Sequence, residues 1–134
     1  MLKNFIKKYP NHFQSINLLG ILSLQTENFE QAKQLFDKSL KINPKHSHTH
    51  NNLGIVFKKL EEPQKAVKCF QKAIEIQPNY SPAHNNLGLT FKELGEFEKA
   101  VKCFQTAIEI QPNYSSAHNN LGLTFKELGE FEKA

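Results

Sequence analysis

The side chains with the most chemical capability in this sequence are asparagine amides, histidine imidazoles, two thiols and a set of lysine–glutamate neighbours. Their spacing decides what each can do. His46, His48 and His50 form the run HSHTH. Alternate residues on a helix point apart, so this run is not expected to gather ligands around a metal ion, and His46 is expected to precede the helix cap. His50, His84 and His118 recur at a fixed interval, with no carboxylate, cysteine or serine grouped around them as a catalytic triad requires. Cys69 and Cys103 recur at that same interval. That is no metal-ligand spacing; it marks them as copies of one position, and we read them as free thiols in a reducing, cytoplasmic setting. No phosphate-binding loop or catalytic signature is present. The expectation is a protein without catalytic residues, cofactor or metal.

The asparagines point elsewhere. Asn17, Asn51, Asn85 and Asn119 form one series, and Asn52, Asn86 and Asn120 a second directly beside it, with Leu18 in place of its first member. A primary amide offers donor and acceptor together, so a row of them can pair with the backbone of a bound peptide without reading its side chains. An apolar row, Ile21, Ile55, Leu89 and Leu123, keeps the same step. Large apolar side chains flanked by amides suit peptide binding. The candidate binding residues are therefore Asn17, Asn51, Asn52, Ile55, Asn85, Asn86, Leu89, Asn119, Asn120 and Leu123. The structural alternatives are amides that merely solvate a polar face and apolar residues that pack on a neighbouring helix.

Such rows need a repeating scaffold, and the chain has one. Asn79–Ala100 reads NYSPAHNNLGLTFKELGEFEKA, and Asn113–Ala134 differs from it only in Ser116 for Pro82. Gly20, Gly54, Gly88 and Gly122 step by 34 residues, as do Pro10, Pro44, Pro78 and Pro112, and Ala32, Ala66, Ala100 and Ala134. Numbering each unit so that this glycine is position 8 places the two asparagine series at positions 5 and 6 and the apolar row at position 9. The units are then residues 13–46, 47–80 and 81–114. Residues 1–12 end a preceding unit and residues 115–134 begin another.

Within a unit the pattern is helix, turn, helix. In Ser81–Leu94, Ala83, Leu87, Phe91 and Leu94 form one helical stripe. Ser81 before Pro82 fits an N-cap followed by the first helical residue, and Gly95 sits where a left-handed C-cap belongs. Phe97, Ala100, Val101, Phe104, Ala107 and Ile108 form a second stripe, and Pro112 blocks its continuation. Units one and two vary the theme: Ser23 replaces the aromatic at position 11, and Glu61 and Glu62 occupy the turn, with Pro63 opening the second helix. Ser115–Leu128 is predicted to be a first helix and Phe131–Ala134 the start of its partner.

The unit NNLGLTFKELGEFEKAVKCFQTAIEIQP resembles the tetratricopeptide repeat, and the likeness covers nearly the whole chain. It implies an all-α fold, a right-handed α-solenoid of tandem 34-residue helix–turn–helix units: here a half unit, three units and most of a fourth. It also implies that positions 5, 6 and 9 of the first helices line a concave groove. Helices pack about 8–10 Å apart and an extended peptide advances about 3.3 Å per residue, so one asparagine per repeat meets roughly every third ligand residue. The series Asn52, Asn86 and Asn120 is similar to the asparagine ladder of O-linked N-acetylglucosamine transferases. The carboxylate clamp of chaperone-type members does not fit, because Pro82 and Asn86 stand where it needs basic residues. Lys58, Lys92 and Lys126 at position 12 and Lys59, Glu93 and Glu127 at position 13 are expected to form a solvated charged face.

Composition narrows the partner class. The net charge is +4, from 17 basic and 13 acidic residues. The basic residues are all lysine, and arginine supplies the planar fork for phosphate and guanine, so nucleic acid is not the expected ligand. No run approaches the roughly 20 apolar residues of a membrane span, and MLKNFIKKYP lacks the apolar core of a secretory signal. The expected function is a non-catalytic scaffold for an extended peptide or partner helix, cut from a longer array. The alternative is self-assembly, weak head-to-tail or symmetric association through Met1–Tyr9 and Ser115–Ala134.

Overall fold

The structure, a computed structural model, describes the backbone of residues 1–133 and the side chains of residues 1–130. The described residues form helices α1 (Leu2–Lys8), α2 (Phe13–Gln25), α3 (Phe29–Ile42), α4 (Ser47–Lys59), α5 (Pro63–Ile76), α6 (Ser81–Glu93), α7 (Phe97–Ile110) and α8 (Ser115–Lys133). The main hairpins are α2–α3, α4–α5 and α6–α7; α3 packs on α4, α5 on α6 and α7 on α8. The first helices α2, α4, α6 and α8 also touch in a row, and among the described residues no helix contacts one more than two places along the chain. Contacts confined to neighbours make a stacked solenoid rather than a closed bundle.

The glycine at position 8 allows each hairpin to close. A Cβ on Gly20, Gly54 or Gly88 would stand 2.7, 2.5 or 2.6 Å from the ring of Phe36, Phe70 or Phe104. These three phenylalanines are fully buried, beside Ala32, Ala66 and Ala100. Burying each ring is worth roughly 1.5–3 kcal/mol. Between units, Leu53, Val56, Phe57, Leu87 and Phe91 join the core into one continuous cluster.

The caps differ from expectation by one residue. Tyr80, not Ser81, is the N-cap of α6, and Ser81 is its first helical residue. The serine hydroxyl is drawn to a different partner: buried Ser81 donates to Gln111 Oε1 at 2.8 Å, and Ser47 to Gln77 at 2.6 Å. These bonds tie the start of each unit's first helix to the end of its second. His46, expected before the cap, is the cap of α4. The Thr49 N–H donates to its Nδ1 at 3.3 Å, and the Ser15 N–H donates to His12 Nδ1 at 3.2 Å at the start of α2. Gly95 has the left-handed conformation expected of it, φ 78°; Glu27 and Glu61 hold the equivalent turns at φ 62° and 61°.

The end of the chain is a correction. α8 runs unbroken through Gly129 to Lys133, with no turn after Leu128. In unit three the turn at Gly95 is held by α7 packing back through Ala100, Phe104 and Ala107, and residues 115–134 contain no counterpart of the last two. The Phe131 side chain and Ala134 lie outside the described residues.

Candidate peptide-binding groove

The two asparagine series have separate fates. Asn51 and Asn85 are only 4% and 5% exposed. Each lies in the seam between adjacent first helices, where its Oδ1 accepts from Nδ2 of the position-6 asparagine one unit on. Asn86 donates to Asn51 at 3.0 Å and Asn120 to Asn85 at 3.1 Å. Asn51 also hydrogen-bonds the Tyr80 hydroxyl. Position 5 was expected to line open groove. Its burial in α4 and α6 corrects that: the helical-wheel reading counts only the partner helix within a unit, and the next unit's first helix covers this face. Asn17 is half-buried and accepts a 2.8 Å bond from the Thr49 hydroxyl. Asn119, beyond the last covered seam, is exposed.

Position 6 keeps free capacity. Asn52 is half-buried, and its amide has no partner among the described residues. Asn86 and Asn120 each spend one N–H on the seam and retain a carbonyl oxygen and a second N–H. Ile55 and Leu89 are half-buried against the core, and Leu123 is 44% exposed. Between α4 and α6 these features meet in a depression of about 330 Å³ lined by Ile55, Lys58, Lys59, Asn86 and Glu93.

The charged positions are more ordered than a solvated face. Lys58 Nζ lies 3.2 Å from Glu93 Oε1, and Lys92 Nζ 3.4 Å from Glu127 Oε1. Each pair joins position 12 of one unit to position 13 of the next. The signal was present in the 35-residue interval between Lys and Glu, but only adjacent helices turn that interval into a contact.

The histidines that recur at position 4 are engaged within the fold. His50, His84 and His118 each donate from Nε2 to the carbonyl of Pro44, Pro78 or Pro112 at 2.7–2.8 Å, fastening a helix start to the loop before it. Phe13, His46, His48 and Tyr80 follow one another in ring contact, edge-on and then tilted, with ring centroids 4.9, 5.6 and 4.5 Å apart. Burial pushes the His46 imidazole below its ordinary value, and the charges of His48 and His50 add to this. Burial pushes the Cys69 thiol up to about 12, with Asp37 contributing, and Cys103 up to about 11, so neither supplies a thiolate nucleophile near neutral pH. Among the described residues no group of three or more His, Cys, Asp or Glu is placed to hold a metal, and no helix is long and apolar enough to cross a membrane.

No curated protein sequence matches the chain. Solved structures do. MamA is 25% identical with a TM-score of 0.89, covering 96% of this chain and 75% of its own. The Sgt2 tetratricopeptide domain from Aspergillus fumigatus is 19% identical, TM-score 0.87, covering 91% and 82%. The first tetratricopeptide domain of Spaghetti (RPAP3), bound to the HSP90 peptide SRMEEVD, is 19% identical, TM-score 0.84, covering 87% and 93%. At that identity the last two speak for the fold alone. Tetratricopeptide-repeat profiles match residues 13–46, residues 48–80 and 81–114, and residues 103–134. Those matches, on a solenoid with a 34-residue period, mean that the chain belongs to the tetratricopeptide repeat family, whose members are in general non-enzymatic protein-interaction modules.

Proposed function

We propose that the row formed by α2, α4, α6 and α8 holds an extended peptide or a partner helix in its concave face. The observation that carries this reading is the depression between α4 and α6, where half-buried Ile55 lies beside the Asn86 amide. Apolar floor and unspent amide capacity together suit a peptide backbone with alternating side chains. Asn52, Asn86 and Asn120 form the ladder along the groove, and Ile55, Leu89 and Leu123 its apolar track. Asn17, Asn51 and Asn85 act from behind: their bonds to neighbouring helices set the spacing of the row. The peptide held by the Spaghetti domain supports the same class of partner. Free, half-buried Cys69 and Cys103 support a reducing, cytoplasmic setting. The test is a triple variant, Asn52→Ala, Asn86→Ala and Asn120→Ala, assayed against peptides selected on the native chain from a random library. The expected result is at least about tenfold weaker binding, as follows from losing several hydrogen bonds of about 0.5–1.5 kcal/mol each, with helical content retained. Unchanged affinity removes the ladder.

A second reading is favoured by α8, where Phe125 is 50% exposed and Leu121 and Leu128, one helical turn to either side of it, are half-buried. This face docks on another copy of the chain, continuing the stack or closing a symmetric pair. Two or three buried side chains at roughly 1.5–3 kcal/mol each barely exceed an association cost of at least about 4 kcal/mol, so the association is weak. Light scattering across a concentration series shows a rising mass if this holds, and a strict monomer throughout ends it.

A further inference from the structure

The ion pairs that cross the groove follow a rule with one exception. In two successive seams a position-12 lysine reaches a position-13 glutamate one unit on: Lys58 to Glu93 and Lys92 to Glu127. Lys59 occupies position 13 of its own unit, the place where an acid would stand. The residue opposite it, position 12 of the unit before, is half-buried, apolar Leu24. Lys59 is exposed at the rim of the α4–α6 depression and has no acidic partner among the described residues. Lys58 and Glu93, which line the same depression, already neutralise one another.

We infer that this depression selects a peptide carrying an acidic side chain in its interior, received by Lys59, next to an apolar side chain seated on Ile55. The inference rests on the groove reading above and names the chemistry the groove prefers. One uncompensated positive charge remains in the depression. A carboxylate arriving there gains a partner without breaking an existing pair; a basic side chain meets like charge. Ile55 and Lys59 are one helical turn apart, about 6 Å along α4, so a peptide that crosses from helix to helix passes both at one place. The acid and the apolar residue are therefore close together in the ligand. In the following seam the equivalent place holds Glu93, already paired with Lys58, so the preference is local to this depression.

The test uses the chain with a library of acetylated, C-terminally amidated dodecamers, so that no terminal carboxylate is available. A matched set with free C-termini is the second arm. The expected result is enrichment of Asp or Glu at one interior position, close to Leu, Ile or Phe. Replacing that acid with Lys weakens binding at least about threefold, the scale of a partly exposed ion pair. Lys59→Glu weakens the acidic peptide similarly and restores the Lys-substituted one, and added salt reduces the native preference. Selected peptides that depend on Asn52, Asn86 and Asn120 but ignore Lys59→Glu overturn this inference and leave the groove reading standing. Binding only in the free-carboxylate arm also overturns it, in favour of a chain-terminus receptor. No selected peptide in either arm ends both readings.

Discussion

Gly88 lies so close beneath Phe104 that a Cβ atom on it would stand 2.6 Å from a ring carbon. The same relation joins Gly54 to Phe70 and Gly20 to Phe36. Gly88→Ala must push the ring or open the hairpin, and we expect a loss of about 1–3 kcal/mol. Gly122 is the internal control: a Cβ there meets nothing within 4 Å. Gly122→Ala instead gains helix propensity, up to about 1 kcal/mol. Urea denaturation followed by circular dichroism measures both, and equal effects at the two sites would refute the packing argument.

The turns of units one and two hold a glutamate where unit three holds glycine. Glu61 has φ 61°, a conformation that costs an L-residue roughly 1–2 kcal/mol. Glycine adopts it freely but loses more entropy on folding. Glu61→Gly should therefore stabilise the chain by about 0.5–1 kcal/mol, and Gly95→Glu should destabilise it by a similar amount. A shift of the urea midpoint with an unchanged slope is the expected signature.

Neighbouring asparagines should separate stability from binding. Asn51→Ala removes the acceptor for Asn86 and a partner of Tyr80 in a buried seam, and should cost about 1–3 kcal/mol. Asn52→Ala removes no bond within the described chain and should stay within about 0.5 kcal/mol, while weakening the selected peptides. Thermal denaturation and peptide titration on both variants check this. Loss of stability in Asn52→Ala and not in Asn51→Ala would reverse the assignment.

His46 makes the second unit sensitive to acid. Neutral Nδ1 caps α4 by accepting from Thr49, and the ring faces Phe13 and His48, with His50 nearby. Because its folded value is lowered, the unfolded chain binds the proton more readily, so stability rises with pH in this window. The contribution is complete above the ordinary histidine value near 6.5. It begins to fall as the pH drops below that and is lost through the lowered folded value. His46→Asn keeps a capping acceptor without the titration. Its stability should vary less with pH across this range than that of the native chain; identical pH profiles would show that His46 does not contribute.

Much of the architecture was legible in the residues. A 34-residue step shared by glycine, proline, alanine and phenylalanine determined the repeat, the helix pairs and the stacking, because each helix carries an apolar stripe it cannot bury alone. Gly95 announced its own turn, since its backbone conformation is local. The seam between units was not legible. Asn51 and Asn52 are adjacent residues of one type, and a single-helix wheel puts both on the polar side. Only the arrival of α6 against α4 buries Asn51, while Asn52 stays half-buried with no partner among the described residues. Lys58 found Glu93, and Lys59 found no acid among the described residues, for the same reason: those contacts depend on the offset between successive first helices, which packing sets and the pattern within one helix does not contain. The turn after Leu128 went the other way, because glycine permits a turn and only a packed second helix enforces one.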